Sequence, residues 1–286
     1  METSKLIAML NQDLTHELAA ILRYLVHSYQ EGEDTPMGAS LLSRSREEMW
    51  HMNWFGMAIG HFGGEPSMEP AEYPVDFTNR ATILESYIKY ELDLEEHYRG
   101  EAERVNDPHI RRVLERAGWE SAYHAQKFRQ KLKKLSPEEL DGRPEGEKEL
   151  STFLLDQLQS EVKAKYNEML NHVRHAWVFQ QNGLLSWEIM NQSMTKMKQL
   201  AHFAEDVAEN GLIPDLTNAG IDTSPDSRTA LQGADRSLTQ GLDRHRQLAE
   251  NKELQGHSGL ATNLDLTIKQ EKDQSEEIRD WLKGLE

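Results

Sequence analysis

The sequence predicts an all-α chain of two tandem four-helix bundles. Three observations carry this. Long segments rich in Leu, Ala, Glu, Lys, Gln and Met are separated by sparse, clustered prolines and glycines. Apolar residues recur at steps of three and four along those segments, and the second half repeats the pattern of the first. No stretch alternates in the period-two manner of a strand.

The first helix carries Ile7, Leu10, Leu14, Glu17, Ile21 and Leu25 on one face, so Glu17 stands inside an apolar stripe. The second runs from about Gly38 to Phe62, with Leu41, Ser45, Glu48, Met52, Phe55 and Ile59 facing in, and Gly63-Gly64 followed by Pro66 stops it. Beyond the Pro-rich EPSMEPAEYP a third helix begins near Thr78 and turns Leu84, Tyr87, Glu91, Leu94, Tyr98 and Ala102 inward. Asn106-Asp107-Pro108 breaks the chain and starts a fourth, whose inner face holds Ile110, Leu114, Ala117, Ser121, His124, Phe128 and Leu132. The longest connection joins the second and third helices, as in bundles with one crossover. Residues 1–135 thus form one bundle, the polar run within 136–150 reads as a linker, and 151–286 form a second bundle.

A shift of 148 residues sets Leu10 on Leu158, Leu14 on Val162, Ile21 on Met169, Phe55 on Phe203, Gly63 on Gly211 and Pro66 on Pro214. Past the crossover a shift of 150 matches Leu92-Asp93 with Leu242-Asp243, Leu114 with Leu264 and Leu132 with Leu282. The pattern is that of an internal duplication, with the C-terminal half expected to act as a built-in partner in a pseudo-dimer.

Composition narrows the function. The chain has no cysteine, which excludes disulfides, zinc-thiolate sites, iron–sulfur clusters and cysteine nucleophiles. A net charge of −17 repels nucleic acid and anionic membrane surfaces and favours cations. No apolar run approaches membrane-spanning length and METSKLIAML is not a secretion leader, so a soluble cytoplasmic protein is expected.

Carboxylates on inward stripes are expensive to bury unless a cation compensates them. Here Glu17, Glu48 and Glu91 come from three successive helices, and Glu48 is followed by His51 in the spacing Glu-x-x-His, which puts both on one helical face. In LNQDLTHELAAILRYLVHS, EEMWHMNWFGMAIGHFGGEP and YELDLEEHYRGEAERV the first 130 or so residues resemble the bacterioferritin branch of the ferritin-like superfamily. That family holds two iron or manganese ions with a Glu from each of two helices and Glu-x-x-His from each of the others. The resemblance implies Glu17, Glu48, His51, Glu91 and His124 as metal ligands and Tyr24 as a partner of a bridging carboxylate in the catalytic centre. The fourth helix departs from the pattern: Ser121 stands three before His124, and the nearest acid, Glu120, points about 100° away unless the helix is locally over- or under-wound. Either Glu120 is the remaining ligand or the position is open to water or substrate.

The reaction implied is oxidation of ferrous iron, or reduction of dioxygen or peroxide, at a dinuclear iron centre, with manganese as the other metal and oligomerisation as in that family. Alternatives are a non-enzymatic iron-binding or storage subunit, an oxidase acting on a small organic substrate, and a bare structural scaffold. Met49 sits where bacterioferritins place the haem-ligating methionine, with Met197 at the equivalent repeat position; apolar filler is the preferred reading of the pair, and haem ligation the alternative. His16, His27, His61, His97 and His109 lack a partner set in the sequence and read as surface or interface histidines. In the second half the ligand positions become Lys165, Lys196, Gln199, Gly241 and Gln274, a set that offers fixed positive charge where the first half calls for a cation.

Overall fold

Helix boundaries follow local chemistry. A computed structural model describes residues 1–74, 76, 78–137 and 149–285, and most of the expected linker, 138–148, lies outside the described residues. Eight α-helices and no strand occur among the described residues. They belong to two compact units, Met1–Glu145 and Gly146–Glu286.

In the first unit α1 (Thr3–Glu31) ends at Gly32, whose φ of 82° suits glycine. α2 (Pro36–His61) begins two residues before the expected Gly38, because Pro36 occupies the first turn and Thr35 caps it by accepting from the Gly38 amide. The α1–α2 turn is tight: a Cβ on Gly38 would stand 1.9 Å from the Gly32 carbonyl oxygen. Gly38→Ala is therefore expected to lower stability by about 1–3 kcal/mol, read as a reduced urea midpoint. α3 (Arg80–Arg104) opens with a capping box between Asn79 and Thr82, and α4 (Pro108–Leu132) with Asp107 accepting from the His109 and Ile110 amides. α1 packs along α2 and α3 along α4, over a core that includes Tyr24, Leu41, Tyr87 and Phe128.

The second unit pairs α5 (Thr152–Val178) with α6 (Gly183–Glu209) and α7 (Ser227–Ala249) with α8 (Ser258–Gly284), around Ile189, Leu231, Leu238 and Ile278. Its details echo the first. α2 ends with the Gly64 amide donating to the Ile59 carbonyl (2.9 Å) and Gly63 at φ 73°; α6 ends with Leu212 donating to Val207 (3.2 Å) and Gly211 at φ 77°. The Asn11 side chain clamps the following crossover through the Glu65 carbonyl (3.0 Å) and the Ser67 amide (2.6 Å). Gln159 makes the same clamp to Ile213 (2.7 Å) and Asp215 (2.8 Å), each position 148 residues further along. No helix among the described residues is long and apolar enough to cross a membrane.

Candidate metal centre

The inward stripes of α1 to α4 bring Glu17, Glu48, His51, Glu91 and His124 together, all of them fully buried. Two sets of ligand atoms form, Glu17–Glu48–His51 and Glu48–Glu91–His124, each with its atoms within 4.8 Å of one another. Glu48 belongs to both. Its Oε2 lies 2.8 Å from His51 Nδ1 and its Oε1 lies 2.7 Å from His124 Nδ1. Glu17 and Glu91 approach the same two nitrogens at 3.5 and 3.3 Å, and the imidazole rings stand 6.3 Å apart, nearly parallel.

Outside these ligand atoms a fixed frame sets each group's direction. His51 Nε2 lies 2.6 Å from Glu120, itself held by Arg116, and His124 Nε2 lies 2.6 Å from Glu47, itself held by Arg44. Both histidines thus give Nε2–H to a carboxylate and turn Nδ1 to the centre, the orientation that outer carboxylates impose on metal-binding imidazoles. The Tyr24 hydroxyl donates to Glu91 Oε1 at 2.5 Å, and the Tyr98 hydroxyl donates to Glu17. Burial pushes both phenols well above their usual pKa, so they stay protonated donors.

Glu120, one of the two readings for the missing ligand, stands apart from the converging atoms. α4 is a regular α-helix through this region, so Glu120 points to the outer nitrogen of His51, and Ser121 is the buried residue beside the centre. Glu47 and Tyr98 were missed. The signal for Glu47 was present, because Glu47–His51 and Glu120–His124 share the spacing Glu-x-x-x-His, although each Glu serves the histidine of the other helix.

Charge is unbalanced at the centre. Burial pushes Glu17 up to about 7 against the pull of His51, and burial together with the Glu48 charge raises Glu91. For Glu48 burial is outweighed by the charges of His124 and His51, which hold it well below the usual carboxylate range. His124, despite burial, is driven up to about 12 by Glu48 and Glu91, and His51 rises for the same kind of reason. Glu17 Oε2 and Glu91 Oε2 are buried with no hydrogen-bond partner, and both Glu48 oxygens have only the two imidazole nitrogens beside them. Such orphaned acceptors, aimed at one another, are what a divalent cation satisfies.

The chain matches no protein-family model, no curated protein and no solved structure.

In the second unit Lys165 and Lys196 are fully buried. Lys165 pairs with Glu168 at 2.8 Å and with Glu271, and Lys196 lies 3.0 Å from Glu168. Glu271 occupies the repeat position of Ser121, and Gly241 leaves its space: a Cβ there would meet Glu271 Oε1 at 3.0 Å. His245 bridges Glu271 (2.8 Å) and Glu161 (2.9 Å) through opposite nitrogens, so these carboxylates do not converge on one point. Burial opposes both ammoniums; the carboxylates overcome it at Lys165, whereas Lys196, which also faces Lys165, falls to about 8.

This network sets a pH window. Bonds from His245 and Arg244 hold Glu161 at about 2 against burial, so its contribution is full above its unfolded value near 4.3 and is lost as pH falls toward 2. His245 is raised, so its contribution is full below about 6.5 and is lost as pH rises through its folded value. His172 in α5 is held down to about 4 by burial and by the Lys196 charge, so its contribution is full above about 6.5 and is lost as pH falls toward 4. Hydrogen exchange in α5 and α7 is therefore expected to be slowest at about pH 6.5 after correction for intrinsic rates.

Met49 and Met197 are each partly buried on their own units. Three of the histidines expected on surfaces are tied down: His27 is 2% exposed and bonded to the Tyr87 hydroxyl, His16 bonds the Tyr90 hydroxyl at 3.0 Å, and His97 bonds a buried carboxylate.

Proposed function

We propose that the first unit is a ferritin-like bundle of the bacterioferritin type that holds two divalent iron or manganese ions and oxidises ferrous iron with dioxygen or peroxide. The single observation that carries this reading is Glu48, which belongs to both ligand sets and sets one oxygen 2.8 Å from His51 Nδ1 and the other 2.7 Å from His124 Nδ1. Glu17 and His51 would hold one ion and Glu91 and His124 the other, with Glu48 between them; the mixed oxygen and nitrogen donors suit iron or manganese. When bound, two ferrous ions supply one electron each, so that dioxygen and two protons leave as hydrogen peroxide, or peroxide and two protons leave as water. Tyr24 and Tyr98 orient Glu91 and Glu17, and Glu120 and Glu47 orient the histidines.

The recurring crossover clamp and helix end support a duplicated bundle whose second copy keeps the fold and replaces ligands by lysine. Anaerobic addition of Fe2+ is expected to load about two ions at this centre, and later aeration to consume about one dioxygen per two irons held there. Oxidation no faster than in protein-free buffer would overturn the reading.

One observation favours oxidation of an organic molecule as a second reading. A recess of about 520 Å³, lined by Trp50, Trp54, Trp119 and Tyr123, lies over Glu47 and Glu120, the outer partners of both histidines. Dioxygen uptake that continues past the iron stoichiometry only when a small apolar additive is present would favour it.

A further inference from the structure

We infer that Asp13, His97 and Glu101 form a separate mononuclear site for a divalent first-row cation, on the α1–α3 side of the first unit. The three ligand atoms lie within 4.8 Å of one another. His97 Nε2 stands 2.9 Å from Asp13 Oδ1 and 3.6 Å from Glu101 Oε2. Asp13 is 0% exposed and Glu101 3%, and Asp13 Oδ2 and Glu101 Oε2 have no donor beside them, so that without a cation the two carboxyls pair with each other by sharing a proton.

Two buried carboxyls with orphaned oxygens facing one imidazole are an unstable arrangement unless a proton or a cation joins them. Arg104, mostly in solvent, lies 3.6 Å from the other oxygen of Glu101. Two oxygens and one imidazole nitrogen leave room for water ligands and suit Fe2+, Mn2+, Co2+ or Zn2+ better than Ca2+ or Mg2+. The His97 side chain is 25% exposed, so the site reaches the surface of the unit at its imidazole. It is distinct from the dinuclear centre. Asp13 precedes Glu17 by one turn of α1, and neither Asp13, His97 nor Glu101 belongs to the two ligand sets that share Glu48.

Anaerobic Co2+ titration of the full chain, followed by calorimetry and visible absorbance, separates the sites. Expected stoichiometries are about three ions for the parent, about two for His97→Ala and for Asp13→Asn, and about one for Glu48→Ala. His97 is partly exposed, so its replacement keeps the test valid where a buried change disturbs folding. Co2+ binding unchanged in both His97→Ala and Asp13→Asn would overturn the site while leaving the dinuclear centre standing. A single ion in the parent that His97→Ala removes would support the site and count against the dinuclear centre.

Discussion

Glu48→Gln is expected to abolish loading of both ions of the dinuclear centre, whereas Glu17→Gln and Glu91→Gln each remove about one. The asymmetry follows from topology: Glu48 belongs to both ligand sets, while Glu17 and Glu91 each belong to one. Replacing an outer partner weakens metal binding by about 10–100-fold, and loss of the shared carboxylate exceeds that at both positions. Glu120→Gln and Glu47→Gln provide the comparison. Each touches only the outer nitrogen of one histidine, so both variants are expected to bind two ions with affinity reduced by about that factor. Metal analysis after anaerobic loading and gel filtration reads all five variants. Equal losses for Glu17, Glu48 and Glu91 would contradict a bridging role.

Lys165→Met is expected to destabilise the second unit by about 3–5 kcal/mol, the penalty typical of leaving a buried charge without its partner. Lys165 Nζ contacts both Glu168 and Glu271, and Lys196 alone would face two fully or nearly buried carboxylates. The double variant Lys165→Met, Glu271→Leu is expected to recover much of the loss, because apolar residues of similar volume often replace a buried pair without penalty. Hydrogen exchange resolved by peptide assigns the loss: faster exchange in α5 and α8, with α1 to α4 unchanged, is the expected pattern. Protection unaltered in α5 and α8 would contradict the network's structural role.

How much of this was legible in the sequence depends on what each residue faces. Glu17, Glu48, Glu91 and His124 were readable because each interrupts an otherwise apolar stripe, and burial of all four follows from helical periodicity alone. The partner of Glu120 was not readable in the same way. Which neighbouring side chain a residue meets depends on the rotation of α4 against α2, and periodicity within one helix carries no such information. Asp13 sits between Leu10 and Glu17 on the buried face of α1, but the apolar period of three and four runs through Leu14 beside it, so the sequence pattern does not single it out. The second unit illustrates a different limit. Position-by-position comparison showed lysines in place of ligands but not the carboxylates that neutralise them, because Glu168 and Glu271 occupy positions where the first unit has Ala20 and Ser121.

The most direct measurement is anomalous X-ray diffraction from crystals of the full chain loaded anaerobically with Fe2+. Two iron peaks flanking the Glu48 carboxylate, one toward Glu17 and His51 and the other toward Glu91 and His124, are the predicted result. Crystals that take up iron elsewhere and show no peak beside Glu48 would contradict the account.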